Sequence, residues 1–327
     1  MTRYAITGAT GFTGGALARR LVADGADLVA LVRESSDTRD LTQLGVHCIP
    51  LSLLDAPAVE AALADIDVVF HIAAAYRAEH SDVDEFHQVN VTATQVLLDA
   101  AVSQGVQRFV HCSTVGVQGA IDDPPASEDY RLAPGDHYQQ SKLDGELCAL
   151  GYTGKGIEVT VVRPVGIYGP GDERFLKLFK AIDRNLFLMI GNGETLYHLT
   201  YIDDLVDGFI AAAHHAAAPG EVFTICGAHY TTLNELTDRI AAVMGRKRRR
   251  LQVPSLPVVW AAHVCDWICK RIGVAPPLYP RRVEFFLLDR AFTHAKASEL
   301  LDYQPQVSLE DGLERTLRWY QDQGLVR

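Results

Sequence analysis

Met1-Thr-Arg-Tyr-Ala-Ile-Thr-Gly-Ala-Thr-Gly-Phe-Thr-Gly14 runs a buried strand, a glycine turn and a helix start in immediate succession. Tyr4, Ala5 and Ile6 suit a strand, while Gly8, Gly11 and Gly14 leave room for a tight turn, a close backbone approach and a helix packed against the strand. Leu17, Leu21 and Val22 then fall on one helix face. The free amides and positive dipole end of that helix suit a pyrophosphate, with Thr10, Phe12 and Thr13 beside the glycines. The stretch predicts a dinucleotide cradle; a glycine-rich turn without a ligand is the plainer alternative.

Outward from this stretch, the chain has 327 residues, 48% hydrophobic and 22% charged, as in a globular protein with one large domain and a smaller lobe, or with two domains. The net charge of −11 disfavours nucleic acid as a partner. Cysteines 48, 112, 148, 226, 265 and 269 show no paired metal spacing, and only Cys265 and Cys269 share a helix face. Reduced thiols in a cytoplasmic protein, no metal site and no cleaved signal peptide are the expectations.

Strand and helix alternate downstream. Asp27-Leu-Val-Ala-Leu-Val-Arg33 reads as a second buried strand, Val46 to Leu51 as a third, Pro57 to Leu63 as a helix, and Asp67-Val-Val-Phe-His-Ile-Ala-Ala74 as a fourth strand. This rhythm predicts an α/β fold with a doubly wound parallel sheet. The second strand ends about twenty residues past the glycines, where the adenine ribose is inspected. Arg33 stands there with Ser35 and Ser36, a set suited to a 2′-phosphate and hence to NADP. Glu34 suits the ribose hydroxyls of NAD, so NAD stays open. Ala73, Ala74 and Ala75 are small enough for the backbone to approach the second ribose.

Phe86 to Gln104 reads as a long helix. Asn90 on its packed face is either a satisfied buried amide or part of a proton relay. Arg108-Phe-Val-His-Cys-Ser-Thr-Val115 is a fifth strand that carries the hydroxyls of Ser113 and Thr114 to the carboxyl edge, where open α/β sheets hold their ligands. Asp122 to Gly135 is polar and reads as a loop. Tyr138-Gln-Gln-Ser-Lys142 opens the next helix, and four residues of spacing put Tyr138 and Lys142 on one face. Bringing a tyrosine from its usual pKa of about 10 to neutrality needs about 4 kcal/mol. At about 5 Å and an effective dielectric near 20, Lys142 supplies roughly 3 kcal/mol of that. Such pairs are common on exposed helices; this one follows a glycine cradle and a strand ending in Ser-Thr, which makes it an acid/base candidate.

Thr7-Gly-Ala-Thr-Gly-Phe-Thr-Gly14, His71-Ile-Ala-Ala74, Asn90-Val-Thr92, Ser113-Thr114, Tyr138-Gln-Gln-Ser-Lys142, Arg163-Pro164 with Tyr168-Gly-Pro-Gly171, and Tyr201-Ile-Asp-Asp204 together resemble the short-chain dehydrogenase/reductase superfamily, specifically its extended, epimerase/dehydratase branch. The resemblance implies that Thr114 hydrogen-bonds the substrate oxygen, Tyr138 is the acid/base, and Lys142 lowers its pKa and holds the nicotinamide ribose. It places Pro164 and Val165 beside the nicotinamide, with Ser52, Leu53, Asn90 and Ser113 completing the cofactor set. Two positions depart from the pattern. Leu51-Ser-Leu53 stands where relatives often carry Gly-Asp-Leu, so Ser52 must serve the adenine or the contact is lost. Tyr197 stands where nucleotide-sugar epimerases commonly carry an arginine for the diphosphate.

Beyond Gly166 the rhythm loosens, giving a Rossmann domain over 1–165 and a substrate-binding lobe over 166–327 with segments that return to the sheet. Asp203 to Ala213 reads as a helix and Glu221 to Cys226 as a strand. His214 and His215 point about 100° apart on a helix, which fits a helix end better than a metal. Arg246-Lys-Arg-Arg-Arg250 is a solvated loop or a contact for an anionic surface or substrate. Pro257 to Ile272, with Trp260, Val264, Trp267 and Ile268, is too short and too polar to span a bilayer. It is a core or pocket helix, or else a face resting on a membrane. This segment, with Pro276-Pro-Leu278, Arg282-Val283 and Phe292-Thr-His-Ala-Lys-Ala297 before Leu301-Asp-Tyr-Gln-Pro305, resembles the C-terminal half of the 3β-hydroxysteroid and sterol dehydrogenase group, and also dihydroflavonol-reductase-like proteins.

These readings converge on an NAD(P)-dependent oxidoreductase that interconverts a secondary alcohol and a ketone on a small apolar, sterol- or flavonoid-like substrate. The resemblance also implies a homodimer through helices 86–104 and 138–150. The alternative is a nucleotide-sugar epimerase or dehydratase with tightly held NAD. A cofactor-binding scaffold without turnover is opposed by the intact Thr114, Tyr138 and Lys142.

Overall fold

Short apolar strands, each followed by a turn and a helix, build a parallel sheet with helices on both faces. The computed structural model describes residues 2–76, 83–248, 251–274 and 276–326. The first winding is β1 (Arg3–Thr7), α1 (Phe12–Ala23), β2 (Asp27–Val32), α2 (Arg39–Gln43), β3 (His47–Pro50), α3 (Ala56–Ala62) and β4 (Val68–His71). Then come α4 (Val83–His87), a π-helical turn (Gln88–Thr92), α5 (Ala93–Ser103), β5 (Arg108–Cys112), α6 (His137–Leu150) and β6 (Glu158–Pro164). The rest comprises β7 (Gly166–Tyr168), α7 (Leu176–Asp183), β8 (Met189–Ile190), β9 (Leu196–Tyr197), β10 (Leu199–Tyr201), α8 (Ile202–His214), β11 (Val222–Ile225) and β12 (Thr231–Thr232). It closes with α9 (Leu233–Val243), β13 (Gln252–Val253), α10 (Ser255–Ile272), α11 (Pro280–Glu284), α12 (Ala295–Leu301) and α13 (Leu309–Asp322).

The main sheet runs β11-β6-β5-β4-β1-β2-β3, every pair parallel. Strand order reverses at β1 and β4, which opens a crevice at their carboxyl ends. Alternating side chains feed two apolar layers. Ile6 and Phe70 join Leu17, Leu205 and Phe209 on the α1/α8 side, while Ala5, Val69 and Phe109 join Val59, Leu97 and Leu98 on the α3/α5 side. β11 brings the chain back to the sheet beside β6. His214 ends α8 and its Nε2 lies 3.1 Å from the Tyr4 hydroxyl, a helix-end role.

Three sequence expectations change. The helix over 86–104 starts earlier, at Val83, and carries the π turn in its middle. The helix at 257–272 is not a core or pocket helix: α10 buries only Ala262 and Cys269. The basic run is not simply solvated, since Arg246 pairs with Asp183 and Arg248 with Asp238; Arg249 and Arg250 lie outside the described residues.

Candidate active site

The glycine turn packs backbone on backbone. Gly8 has φ +74°, and the Gly11 amide donates to the Gly8 carbonyl at 3.0 Å. A Cβ on Gly8 would stand 2.7 Å from the Ala73 nitrogen, and one on Gly14 2.3 Å from the Gly8 oxygen. Neither position admits a side chain. Gly11 caps α1 without a side-chain acceptor, so the first amides keep their donors for the crevice.

A cavity of ≈ 1670 Å³ follows the carboxyl ends of the strands. A single-ligand pocket takes roughly 300–1,000 Å³, so this one has room for a dinucleotide and a substrate together. Gly8, Thr10, Gly11, Phe12, Thr13 and Gly14 line it, as do Arg33, Ser52, Leu53, Ala73, Ala74 and Ala75. Ser113, Thr114, Tyr138, Lys142, Pro164 and Val165 complete that wall. The bare cradle, the donor-rich helix start and the length of the wall fit a nicotinamide dinucleotide.

Asn90 is the exception, lying buried behind the wall. Its Oδ1 accepts from the Ala75 amide at 2.8 Å and its Nδ2 donates to Ser141 Oγ at 2.9 Å. The amide is satisfied by the chain itself, and it ties the loop after β4 to α6. Ser141 Oγ donates in turn to the Tyr138 carbonyl at 2.9 Å, so the tie reaches the turn that carries Tyr138.

Asn90 stands inside the π turn. Such turns leave carbonyls without their usual α-helical partners. Here the Thr94 hydroxyl donates to the Asn90 carbonyl at 2.9 Å. With its proton committed, Thr94 Oγ1 accepts from His71 Nε2 at 2.9 Å, and His71 Nδ1 is left to accept from Thr7 Oγ1 at 2.8 Å. Thr7 Oγ1 also takes the amides of Ile72 and Ala73, both at 3.1 Å. The chain requires a neutral His71. Burial pushes its pKa down to about 3, with the charge of Lys142 acting in the same direction.

Lys142 is buried, and its Nζ donates to the Cys112 carbonyl at 2.6 Å. Desolvation lowers its pKa, against the pull of Cys112 and Glu146. Tyr138 is half-buried, its ring held edge-on by Tyr76 at 5.2 Å and Phe86 at 6.1 Å. Thr114 Oγ1 accepts the Gly116 amide at 3.1 Å, which leaves its O–H to donate. Ser113 corrects the sequence reading. Its hydroxyl donates to Glu146 Oε2 at 2.5 Å, and Glu146 forms a buried ion pair with Arg163 at 2.5 Å. Adjacent residues of extended chain face opposite sides, so only one of the two hydroxyls serves the cavity.

Segments beyond residue 166 supply the remaining wall. Phe175, Leu178, Phe187, Phe285, Phe286 and Phe292 make it apolar, and Arg174, Lys177, Arg281, Arg282 and Arg290 make it cationic. Tyr197 packs its ring against Phe285 at 5.1 Å. Arg281 also pairs with Asp136, the N-cap of α6, which ties the lobe to the helix of Tyr138. Sequence reasoning missed these cations, because no periodicity marks residues that meet only through the tertiary fold. It also missed Thr94, although Thr four residues after Asn90 is a readable back-bonding pattern.

The profile of the NAD dependent epimerase/dehydratase family matches residues 4–226. The chain belongs to that family. It is 29% identical over 292 residues to a 3beta-hydroxysteroid-dehydrogenase/decarboxylase of Arabidopsis thaliana, covering 83% of this chain and 51% of that protein, so it spans about half that relative's length. A 2-alkyl-3-oxoalkanoate reductase of Stenotrophomonas maltophilia is 30% identical over 326 residues, covering 95% of this chain and 97% of the relative. Among solved structures, the dTDP-glucose 4,6-dehydratase DesIV of Streptomyces venezuelae, with NAD and TYD bound, superposes with a TM-score of 0.78 at 27% identity, covering 100% of this chain and 99% of that one.

Proposed function

We propose that this family member is an NAD(P)-dependent oxidoreductase that interconverts a secondary alcohol and a ketone on an apolar substrate carrying an anionic group. The observation that carries the reading is the wall beyond residue 166, where five aromatic rings and Leu178 stand among five cations, of which Arg174 is paired with Asp172 and Arg281 with Asp136. A long-chain keto acid or a carboxylated sterol offers both surfaces; the names of the Stenotrophomonas and Arabidopsis relatives support these classes.

When bound, the nicotinamide accepts or supplies the hydride. Tyr138 Oη takes or returns the hydroxyl proton, and the Thr114 O–H donates to the substrate oxygen. The buried charge of Lys142 favours the tyrosinate form. Asn90 and Ser141 hold the Tyr138 turn in register with the alanine loop. Arg33 among Ser35 and Ser36 supports NADP over NAD. Residues 1–165 hold the cofactor in this reading, and 166–327 supply the substrate wall.

A nucleotide-sugar epimerase or dehydratase is the second reading, favoured by the same five cations. They offset the missing arginine at Tyr197, and DesIV supports it. Native mass spectrometry with steady-state assays separates the two. Exchangeable cofactor with turnover of a long-chain 3-oxo acid or a 3-hydroxysterol supports the oxidoreductase; retained NAD with turnover of a dTDP- or UDP-sugar alone overturns it. A homodimer through α5 and α6 belongs to the proposal and rests on Leu147 and Leu150, since Ala93, Val96, Leu97, Ala100 and Leu143 lie in or against the chain's own core. Six unpaired thiols support a cytoplasmic setting.

A further inference from the structure

Leu256, Trp260, Val264, Trp267, Ile268 and Ile272 stand exposed on α10. Steps of three and four residues keep them on one helix face. Trp260 is 72% exposed and Trp267 57%, although tryptophan is among the side chains most buried on average. Charge surrounds this stripe asymmetrically. From Arg246 to Val274 the sequence carries seven Lys and Arg residues and one carboxylate, Asp266, in a chain of net charge −11; Arg246 and Arg248 of the seven are paired with Asp183 and Asp238. Asp266 is bonded by Lys270 at 2.7 Å, and the Arg271 guanidinium lies 4.1 Å from the centre of the Trp267 ring. The helix packs on α11, whose Arg281 and Arg282 line the cavity.

We propose that α10 lies flat on an anionic lipid surface, its tryptophans and aliphatic side chains entering the headgroup boundary and its flanking cations meeting lipid phosphates. Apolar stripe, interfacial tryptophans and basic ends are the features of a helix that rests in a membrane interface. No helix among the described residues is long and apolar enough to cross a membrane, so the contact is peripheral. Charge decides against a second copy as the occupant. Cations flank the helix at both ends in sequence, so a two-fold pairing brings like charges together whether the helices run parallel or antiparallel. A lipid surface places anions opposite the exposed ones, such as Lys270 and Arg271.

The test needs no substrate and is independent of the proposed activity. The full chain is sedimented with sucrose-loaded vesicles of phosphatidylcholine, alone or mixed with phosphatidylglycerol, while tryptophan emission is recorded. Two of the three tryptophans lie on this face, so their spectrum reports insertion. Anionic vesicles should bind at least about tenfold more protein than neutral ones, with a blue shift that added salt weakens. The double variant Trp260→Ser, Trp267→Ser should lose binding, and Lys270→Glu, Arg271→Glu the anionic preference. All four side chains are on the exposed helix, and an unchanged melting curve checks that the variants fold. Equal binding of the serine variant, or no sedimentation with either vesicle, overturns the proposal. So does a lipid-free blue shift that grows with protein concentration alongside a dimer, which assigns the face to a second copy.

Discussion

Lys142 reaches across 2.6 Å from α6 to the carbonyl of Cys112, the last residue of β5. One buried ammonium thus fastens the helix of Tyr138 to the strand that delivers Thr114. Under the proposed chemistry, Tyr138→Phe removes a proton-transfer group and little packing. Its kcat should fall by at least about 100-fold while cofactor affinity stays near normal. Lys142→Met should damage both, since it removes a charge and the tie to β5. Stopped-flow or steady-state rates with cofactor titrations check this, and near-normal turnover in Tyr138→Phe would take that residue out of the mechanism.

On the proposed reading, Arg33 sets the cofactor preference. It lines the cavity with Glu34, Ser35 and Ser36 at the end of β2. Arg33→Ala should weaken NADP by about 1.5–3 kcal/mol, the worth of a charge-assisted hydrogen bond, and NAD by much less. Fluorescence titration of both cofactors reads the difference. Equal losses reduce Arg33 to stacking on the adenine, and a wild-type preference for NAD hands the decision to Glu34.

Gly145 sets two effects against each other. Alanine is favoured over glycine in a helix interior by about 1 kcal/mol, so Gly145→Ala gains propensity. The added Cβ would stand 2.2 Å from the Asn90 carbonyl oxygen, however, and a backbone atom cannot swing aside as a side-chain end can. Collision wins over propensity. The variant should lose about 1–3 kcal/mol in urea unfolding, with turnover falling as α6 is pushed off the π turn. Unchanged stability would show that the two helices separate without cost.

Local rules made the sheet and the cradle legible. Glycine spacing, buried strands and the Tyr-Lys helix each lie within a few residues of sequence, and their steric logic holds in isolation. The helix at 257–272 shows where such reasoning ends. Periodicity identifies an apolar face but not what covers it, so Trp260 reads as core and stands in solvent. Ser113 marks another limit, because two neighbouring hydroxyls look equivalent until strand alternation turns one of them to Glu146. The cations of the wall reach the cavity from α7, α11 and the segments beside them, far apart in the chain, which no local pattern records.

The buried histidines predict how stability depends on pH. His71 is held neutral by its threonine partners and by burial, with its pKa pushed down to about 3. His198 is pushed down to about 4, chiefly by burial, while its Nε2 donates to the Gly227 carbonyl at 2.9 Å and its Nδ1 accepts the Phe292 amide at 3.3 Å. His111 is buried against His71 and also shifted downward by burial. An unfolded histidine titrates near about 6.5, so below that pH the unfolded chain binds protons that the native chain refuses. Their stabilising contribution is therefore complete above about pH 6.5 and is lost as pH falls toward the native values. From pH 6.5 to 5, each should remove up to about 2 kcal/mol, at 1.4 kcal/mol per pH unit. Asp203 and Asp204, raised by burial, act in the opposite direction and begin to do so only as they protonate. Urea unfolding at pH 5, 6, 7 and 8 should show a steep fall below 6.5, and His198→Asn should unfold with a shallower slope. A flat profile between pH 5 and 6.5 would mean that these histidines are protonated in the native chain, and the Thr7–His71–Thr94 chain would then need a different proton arrangement.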